Sequence, residues 1–585
     1  MLKLFKYLKS IDYVFIVICA GLVVAQVYFD LTMPDYTQKL VKEVVRLDGT
    51  VDMSAVWRNG GWMLLYAFCS ALCSIICGFF AARTAANFAK TLRKELFERV
   101  TSFSAAEINK FGTPSLITRT TNDVVQMQNF IAIGLQLLIK APVLAVWAIC
   151  KISATAVEWT IATGVVVAII VAVVAVLMIM CFPRFRQIQK FIDEMNNSVR
   201  ENVTGVRVVR AFNAEQYQTA KFETVNEKIK RNQLFTSRSL GFMMPVMTVC
   251  LNGLTLAVYW IGAALINSTP LVGKEDMFTS MTVFTQYAMQ VVMAFMLLIM
   301  IFMILPRCVV SARRIAETLG THRSIRSGSV KKVEHKDGVP VLEFKGVDFA
   351  YDHGSNKVVS DISFTVNRGE TVAFIGATGS GKTTVINLIE RFYDVDGGEV
   401  LFNGVNVKDY DEEVLRNSIS LAPQRAVLFK GDIRGNVAYG EQTEPDDARI
   451  NRALDIACAA EFVNGLEQGI ASPVAQDGTN FSGGQKQRLS IARAVYKNAE
   501  LMVFDDTFSA LDYKTDLAVR KNIAENIEDA TVVLVAQRIG TIMHADKIIV
   551  LDEGRIVGMG THKDLLENCA VYKEIALSQL SKEEL

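Results

Sequence analysis

The sequence predicts a multi-domain fold, in which a six-helix transmembrane α domain is followed by an α/β domain with a P-loop. The chain has 585 residues that are 51% hydrophobic and only 21% charged, which is too long for one domain and too apolar for an ordinary soluble protein. Its first half contains roughly six long apolar runs. Its second half contains a short apolar strand that leads into a glycine-rich loop and an apolar helix.

The six apolar runs are long enough to cross about 30 Å of hydrocarbon at about 1.5 Å per residue. They cover residues 14–33, 62–82, 131–153, 159–182, 242–266 and 281–305. The first run is longer than the apolar part of a signal peptide, and no small-residue cleavage site precedes Asp35. We therefore expect it to remain as a membrane helix.

Clusters of Lys and Arg at residues 83–119 and 184–210 predict the orientation of this domain. Because Lys and Arg are retained on the cytoplasmic side, we expect a multi-pass protein of a cell membrane, inner or plasma, with both termini in the cytoplasm. The two basic loops are amphipathic, so the helices are expected to continue into the cytosol. The net charge of +1 gives no basic field, and we expect no nucleic-acid partner.

A polar stretch near residues 321–338 separates the two halves and has the composition of a linker. We predict a transmembrane domain at residues 1–310, a linker at 311–340 and a nucleotide-binding domain at 341–585. The nucleotide-binding domain is expected to lie in the cytoplasm.

The glycine-rich loop "GATGSGKTT" covers residues 376–384 and fits the P-loop pattern in its strand, loop and helix context. Its glycines let backbone N–H groups surround phosphate oxygens at a helix N-terminus. Lys382 is expected to reach the β- and γ-phosphates of ATP, and the Thr383 hydroxyl to bind Mg²⁺. A glycine-rich turn with a solvated lysine is the alternative. The predicted phosphate-binding residues are Gly376, Ala377, Thr378, Gly379, Ser380, Gly381, Lys382, Thr383 and Thr384.

Downstream, "LMVFDD" at residues 501–506 is an apolar strand that ends in two carboxylates, of which Asp505 is expected to hold Mg²⁺. Between the two motifs lies "NFSGGQKQRLSIARA" at residues 480–494, and "SALD" follows at 509–512. Motifs of this kind in this order resemble the nucleotide-binding domain of an ATP-binding cassette (ABC) protein. With six spans before them, nearly the whole chain resembles an ABC exporter half-transporter.

Two segments between the spans, "FGTPSLITRTTNDV" at 111–124 and "ENVTGVRVVRAFNAEQ" at 201–216, resemble the intracellular loops of that family. In the family, short coupling helices in these loops contact the nucleotide-binding domains. The resemblance also assigns adenine stacking to Tyr351, which suits a planar ring, and assigns a role as Mg²⁺ ligand and membrane-domain sensor to Gln424.

The resemblance gives the signature residues a role outside their own chain. In the family, the signature of one domain closes over the γ-phosphate held by the P-loop of another, so one chain with one P-loop and one signature must dimerise. Those residues here are Ser482, Gly483, Gly484 and Gln485.

The sequence departs from the family at two positions. Asp506 stands where the family usually has a glutamate that polarises the attacking water, and Gln537 stands where it usually has a switch histidine. The Asp506 carboxylate is one C–C bond shorter, about 1.5 Å, and misplacement on that scale can cost about 10²-fold in rate. The resemblance therefore implies a degenerate site that binds ATP and hydrolyses it slowly, in a heterodimer whose partner supplies the full set. A homodimer with two impaired sites is the alternative.

The last apolar run contains Met289, Met293, Met296, Met300 and Met303, which share one helical face. Flexible thioethers suit an adaptable cavity for hydrophobic or amphipathic compounds, which Phe284 and Phe295 would join, but the same spacing suits a packing seam between helices. Polar residues also lie at or near membrane depth, where they usually face a cavity or another helix. These are Gln136, Lys140, Asn252, Gln286 and Gln290.

We therefore expect one subunit of a heterodimeric, multidrug-type exporter that uses ATP and Mg²⁺. Two alternatives stay open. One is a lipid or peptide exporter subunit, although no peptidase-like extension precedes the first run. The other is a regulatory subunit that binds ATP without powering transport.

Overall fold

The structure is a computed structural model that describes residues 2–44, 51–153, 157–270, 273–351, 356–527 and 530–580. The chain forms two compact units, one of residues 1–101 with 114–321 and one of residues 102–113 with 322–585. The predicted domain limits stay a prediction, but residues 311–320 of the predicted linker are helical.

The first unit is helical. Its helices are α1 Ser10–Val44, α2 Met53–Thr101, α4 Thr113–Thr120, α5 Asn122–Ser153, α6 Val157–Thr204, α7 Val206–Ala211, α8 Glu215–Gly241, α9 Met243–Ser268 and α10 Lys274–Gly320; between α2 and α4, α3 Ala105–Phe111 belongs to the second unit. Among the described residues, six helical segments are long and apolar enough to cross a membrane, and each overlaps one predicted run. The six-helix prediction is confirmed.

Several of these helices are much longer than a bilayer is thick. α2 has 49 residues and α6 has 48, so each spans about 70 Å at about 1.5 Å per residue, against about 30 Å of hydrocarbon. Outside the apolar run of α2, Phe88 and Leu92 stay buried because they pack in one cluster with Met127 of α5 and Ile315 of α10. The helices therefore continue as a packed bundle beyond the membrane.

The second unit is an α/β domain, as predicted. Its strands are β1 Leu342–Phe349, β2 Val359–Val366, β3 Thr371–Ile375, β4 Gly397–Phe402, β5 Val405–Asn406, β6 Ile419–Ala422, β7 Gly431–Asp432, β8 Pro473–Val474, β9 Leu501–Asp505, β10 Thr531–Val535, β11 Lys547–Asp552 and β12 Arg555–Gly560. Its remaining helices are α11 Lys382–Ile389, α12 Glu412–Ser418, α13 Ile433–Val437, α14 Asp447–Ile456, α15 Ala460–Asn464, α16 Gly483–Lys497, α17 Tyr513–Asn526, α18 Ile539–Ile542, α19 His562–Asn568 and α20 Ala570–Gln579.

A six-stranded sheet in the order β12-β11-β3-β10-β9-β6 forms the centre of this unit. β11, β3, β10, β9 and β6 run parallel, and β12 is antiparallel. A second, antiparallel sheet has the order β2-β1-β4-β5, and β7 pairs with β8.

Side chains of the central strands alternate between two apolar cores. Ala373 and Ile375 of β3 pack in one core, whereas Val372 and Phe374 pack in the other. Successive strand residues point to opposite faces, so a sheet that is covered on both sides reads as a continuous apolar run. This explains why the strand before the P-loop is apolar from Val372 to Ile375 and why the strand before Asp505 is apolar from Leu501 to Phe504.

Candidate functional site

The predicted nucleotide residues lie at one edge of the central sheet. The neighbouring strands β3, β10, β9 and β6 run parallel, so their carboxyl ends meet at the same edge. The P-loop follows β3, Gln537 follows β10, Asp505 ends β9 and Gln424 follows β6. Sheet topology thus brings together residues that are far apart in the sequence.

The P-loop depends on a glycine at its first position. Gly376 has a φ of +155°, and a Cβ atom there would lie 2.0 Å from the carbonyl oxygen of Leu551. Only glycine allows this close approach of the backbone. The loop then ends at the N-terminus of α11, where unpaired backbone N–H groups favour an anion.

Lys382 is buried at the base of the loop. Its Nζ donates hydrogen bonds to the carbonyl oxygens of Gly376 and Ala377, both at 2.8 Å, and to Ser380 Oγ at 3.2 Å. Burial lowers the pKa of Lys382, and the charges of Asp506 and Asp505 partly oppose that shift. A phosphate group in the loop would favour the charged ammonium in the same way.

Asp505 and Thr383 form the predicted metal pair. Thr383 Oγ1 donates to Asp505 Oδ1 at 3.4 Å, and the Asp505 side chain is buried at the end of β9. Burial raises the pKa of Asp505, while the hydrogen bond from Thr383 lowers it. A divalent cation would stabilise the ionised carboxylate at this position.

Asp506 receives both predicted amide side chains. Gln424 Nε2 donates to Asp506 Oδ2 at 3.1 Å, and Gln537 Nε2 donates to the same oxygen at 2.8 Å. The residue is 6% exposed and has a φ of +47°, a left-handed conformation that aspartate tolerates. Asp506 and Gln537, the two departures from the family, therefore form one hydrogen-bonded cluster with Gln424, the expected sensor.

A residue that the sequence analysis missed holds the Gln537 segment in place. Gln579 Nε2, on α20, donates to the carbonyl oxygen of Gln537 at 2.8 Å, and the Ile539 N–H donates to Gln579 Oε1 at 2.8 Å. The two hydrogen bonds join residues about forty positions apart, so no local pattern in the sequence predicts them.

Tyr351 lies beside the P-loop helix and is 44% exposed. Its hydroxyl is 3.1 Å from Thr384 Oγ1, and its ring makes an edge contact with Tyr393 at 5.1 Å between centroids. The Tyr393 hydroxyl accepts a hydrogen bond from Asn109 Nδ2 of α3 at 2.9 Å. The side chains of α3, Tyr393 and Tyr351 are thus in contact within the second unit.

The short helix α3 lies just before the segment that resembles an intracellular loop. Glu107 accepts hydrogen bonds from the backbone N–H groups of Ser104 at 2.9 Å and Ser324 at 3.1 Å. The predicted segments 111–124 and 201–216 contain α4 and α7 instead. The assignment of these segments as intracellular loops stays a prediction, and Glu107 and Asn109 lie outside them.

The signature residues begin α16. Ser482 is the N-cap, its Oγ accepts from the Gln485 N–H at 3.3 Å, and the Gln485 side chain bonds back to the Ser482 N–H at 2.9 Å. This capping box defines the start of the helix. A Cβ atom at Gly483 would meet no other atom within 4 Å, and one at Gly484 would meet only the Ala510 carbonyl oxygen, at 3.5 Å. In the described chain, the signature and the P-loop share no hydrogen bond, so the structure does not bring these two predicted groups together.

The methionines of α10 have different surroundings. Met289 and Met293 are 42% and 49% exposed and line a cavity of about 410 Å³ in the first unit. Met296 packs against the apolar core, and Met300 is exposed but does not line that cavity. The Met303 side chain lies outside the described part of the structure.

The two aromatic residues proposed to accompany the methionines lie against the core. Phe284 is fully buried with its ring 5.2 Å from that of Trp159, and Phe295 packs against the same cluster. Neither lines the cavity. Their apolar surface stabilises helix packing instead.

Fold and site together define a class: a multi-pass membrane protein with a P-loop nucleotide-binding domain. Residues 14–295 match the family of the ABC transporter transmembrane region, and residues 359–509 match the ABC transporter family. An uncharacterised ABC transporter ATP-binding protein of Mycobacterium tuberculosis is 38% identical over 533 residues, which cover 90% of this chain and 90% of that protein. The chain belongs to the ABC transporters and has the domain content of an exporter half-transporter.

Two further similarities fit this assignment. The ATP-dependent lipid A-core flippase of Haemophilus ducreyi is 29% identical over 499 residues, which cover 84% of this chain and 83% of the flippase. A solved bacterial Atm1-family ABC exporter with ATP bound has a TM-score of 0.80 and 22% identity, and covers 97% of this chain and 98% of that one. At 22% identity, the similarity to the Atm1-family exporter establishes the fold alone.

Proposed function

We propose that this chain is one subunit of an ATP-driven exporter of hydrophobic or amphipathic compounds, of the multidrug type. The observation that carries the proposal is the joining of a built P-loop site to six apolar helices in one chain. The basic clusters at residues 83–119 and 184–210 support a cytoplasmic location for both termini and for the nucleotide-binding domain. The proposed location of the protein is the inner or plasma membrane of the cell.

The same proposal includes Mg²⁺ with the ATP. Thr383 and Asp505 offer a hydroxyl and a carboxylate, which are the hard oxygen ligands that Mg²⁺ prefers. Gln424 directs its amide nitrogen to Asp506, so its amide oxygen remains as a further ligand. When bound, the ion would neutralise charge on the phosphates, and Lys382 would hold their oxygens.

The chain is proposed to act as a dimer. Ser482 and Gly483 are exposed at the start of α16, and Gly483 has space for a side chain that it lacks. A close approach of a partner-bound phosphate to this backbone would explain a glycine that the chain's own packing does not require.

The partner is proposed to be a different half-transporter. Asp506 and Gln537 form a degenerate site because the shorter carboxylate is held by two amide donors on one oxygen. A positioned general base contributes about 10² to 10⁴ in rate, which this site would lack. Such a chain contributes the P-loop of a slow site and the signature of its partner's competent site.

Two specific observations favour alternatives. The similarity to a lipid A-core flippase favours a lipid as the transported compound. The Asp506 and Gln537 pair favours a regulatory subunit that binds ATP without powering transport. For a peptide exporter subunit, the fold is the one supporting observation.

The proposal is tested in inside-out vesicles from cells that express the full chain with its native partner. We expect accumulation of a fluorescent dodecanoate that requires Mg-ATP and is lost when Lys382 and the P-loop lysine of the partner are both replaced by Ala, because this removes the phosphate-binding ammonium from both sites. Accumulation that the double replacement leaves unchanged would contradict the export proposal. Fluorescent ATP binding to the purified chain, retained in the wild type and lost in Lys382→Ala, separates a regulatory subunit from one that binds no nucleotide.

A further inference from the structure

The cavity beside Met289 and Met293 has a mainly apolar lining that is interrupted by polar side chains. It lies among α1, α5 and α10, and its volume of about 410 Å³ is within the range of small-molecule sites, about 300–1,000 Å³. Its polar lining comes from Asp30, Lys140, Gln286 and Gln290. All four residues belong to segments that are candidate membrane spans, where ionisable groups are rare and mark functional sites.

Each carboxylate oxygen of Asp30 accepts one hydrogen bond. Ser70 Oγ donates to Asp30 Oδ1 at 2.5 Å, and Lys140 Nζ donates to Asp30 Oδ2 at 3.3 Å. Lys140 has three N–H donors, and among the described residues Asp30 is the one acceptor that it reaches. Lys140 lines the cavity with its side chain 23% exposed, and it keeps two N–H donors beyond the one that bonds to Asp30.

The wall formed by α10 combines hydrogen-bonding side chains with apolar groups. Gln286 and Gln290 are one helical turn apart on α10, and within the described residues their amides bond to no other side chain or backbone group. Met289 and Met293 occupy the adjacent strip of the same wall. Half of this face offers hydrogen bonds, and the other half offers soft apolar surface.

We propose that this cavity binds an amphiphile with an anionic oxygen headgroup, a phosphate or carboxylate, and an alkyl segment. The headgroup would accept from Lys140, because a charged donor and a charged acceptor form the strongest hydrogen bonds. The Gln286 and Gln290 amides supply further donors, and the alkyl segment packs on Met289 and Met293. This inference rests on the proposed export function, and names the substrate class for it.

A purely structural ion pair is the competing explanation, and the chain contains a matched control for it. Lys151 of α5 pairs with Asp35 of α1 at 2.7 Å, so it joins the same two helices as Lys140 and Asp30. Neither Lys151 nor Asp35 lines the cavity. A role limited to holding the helices together would therefore apply to both pairs.

The test measures equilibrium binding to the full-length chain in phosphatidylcholine nanodiscs without nucleotide, after subtraction of binding to empty discs. The probes are dodecyl phosphate, dodecyl maltoside and dodecyltrimethylammonium, which share one alkyl chain, together with inorganic phosphate. We expect saturable binding of dodecyl phosphate that is about tenfold tighter than that of the other two amphiphiles. Inorganic phosphate is expected to bind at least tenfold more weakly, because it has no apolar part.

Variants assign the preference to Lys140. Lys140→Gln is expected to remove the tenfold preference for dodecyl phosphate, whereas Lys140→Arg and Lys151→Gln keep it. Asp30→Asn is expected to tighten binding of the phosphate, because it removes the carboxylate that competes for Lys140. If Lys140→Gln misfolds, Lys140→Arg and Asp30→Asn still decide the sign of the electrostatic effect.

Several results would overturn the inference. They are equal binding of the three amphiphiles, an unchanged preference in Lys140→Gln, a loss in Lys151→Gln as large as in Lys140→Gln, or inorganic phosphate that binds as tightly as dodecyl phosphate. Failure of the export proposal would be a separate result. Dodecyl phosphate would bind as expected, but the vesicles would show no ATP-dependent accumulation. The nucleotide-free measurement keeps the two outcomes apart.

Discussion

At the scale of single residues, the position of one carboxylate decides how the nucleotide site is expected to work. Asp506 is buried, and Gln424 and Gln537 donate to the same oxygen, Oδ2. We expect this shorter carboxylate to lie too far back for an efficient general base.

Restoring the longer acid and a switch histidine should increase ATP hydrolysis. Asp506→Glu moves the carboxylate forward by about 1.5 Å, and Gln537→His replaces an amide donor with an imidazole. In a complex whose partner has lost its own catalytic acid, we expect the double variant to hydrolyse ATP about 10²-fold faster than the wild-type chain, with ATP affinity unchanged within about threefold. Phosphate release and fluorescent ATP binding measure the two quantities.

Asp506→Asn is the control for this gain. It should leave the slow hydrolysis of the wild type nearly unchanged, because the base is already ineffective. The degenerate site would be contradicted if Asp506→Asn lost most of the wild-type turnover. It would also be contradicted if the double variant showed no gain in turnover.

The sequence supports some of these residue assignments and not others. The P-loop and Asp505 follow from local patterns, since each requires only a strand and the few residues after it. Tyr351 and Gln424 required the family resemblance. Asp30 was missed although a carboxylate inside an apolar run is itself a signal.

At the scale of elements, the C-terminal helix α20 stabilises the segment that carries Gln537. Gln579 donates to the Gln537 carbonyl oxygen and accepts from the Ile539 N–H, so one side chain satisfies two backbone groups. These groups follow β10, where the strand ladder no longer satisfies them. The orientation of Gln537 toward Asp506 therefore depends on an element at the far end of the chain.

Removal of this contact should loosen the Gln537 segment without unfolding the domain. In Gln579→Ala, the Ile539 amide is expected to exchange with deuterium about fivefold faster, because one hydrogen bond contributes about 1 kcal/mol. Measured in the Asp506→Glu, Gln537→His background, turnover should fall while ATP affinity stays the same. Hydrogen exchange and steady-state kinetics provide the readouts.

Lys573→Ala is the matched control, since Lys573 is an exposed residue of the same helix. It should change neither the exchange of the Ile539 amide nor turnover. Equal effects of the two variants would show that α20 acts through general stability and that the Gln579 contacts have no specific role.

Elements were easier to predict than the contacts between them. Apolar runs gave the six spans because a bilayer demands length and hydrophobicity together. The same runs could not show that α10 continues to Gly320, because that part of the helix buries only one stripe, including Ala312 and Ile315. Contacts such as Asn109 with Tyr393 join distant residues, and no periodic pattern encodes them.

At the scale of the whole molecule, the P-loop and the signature of this chain are expected to belong to two different ATP sites. In the proposed heterodimer, the P-loop and Asp506 would serve the slow site, whereas Ser482 and Gly483 would serve the competent site formed with the partner. In a homodimer, by contrast, each motif would contribute to two identical sites. Motif-specific variants of this one chain can therefore distinguish the two assemblies.

In the complex of the tagged chain with its native partner, Gly483→Asp should lower ATP turnover by about 10²-fold or more, because a bulky anion at the exposed start of α16 would repel the γ-phosphate held by the partner. Asp506→Asn in the same complex should change turnover by less than about twofold, because the partner's own acid serves the fast site. Phosphate release from the purified complex measures both, and nucleotide binding to Gly483→Asp confirms that the P-loop is intact. Equal losses in the two variants would mean that this chain's own acid carries catalysis, and the heterodimer proposal would then be wrong.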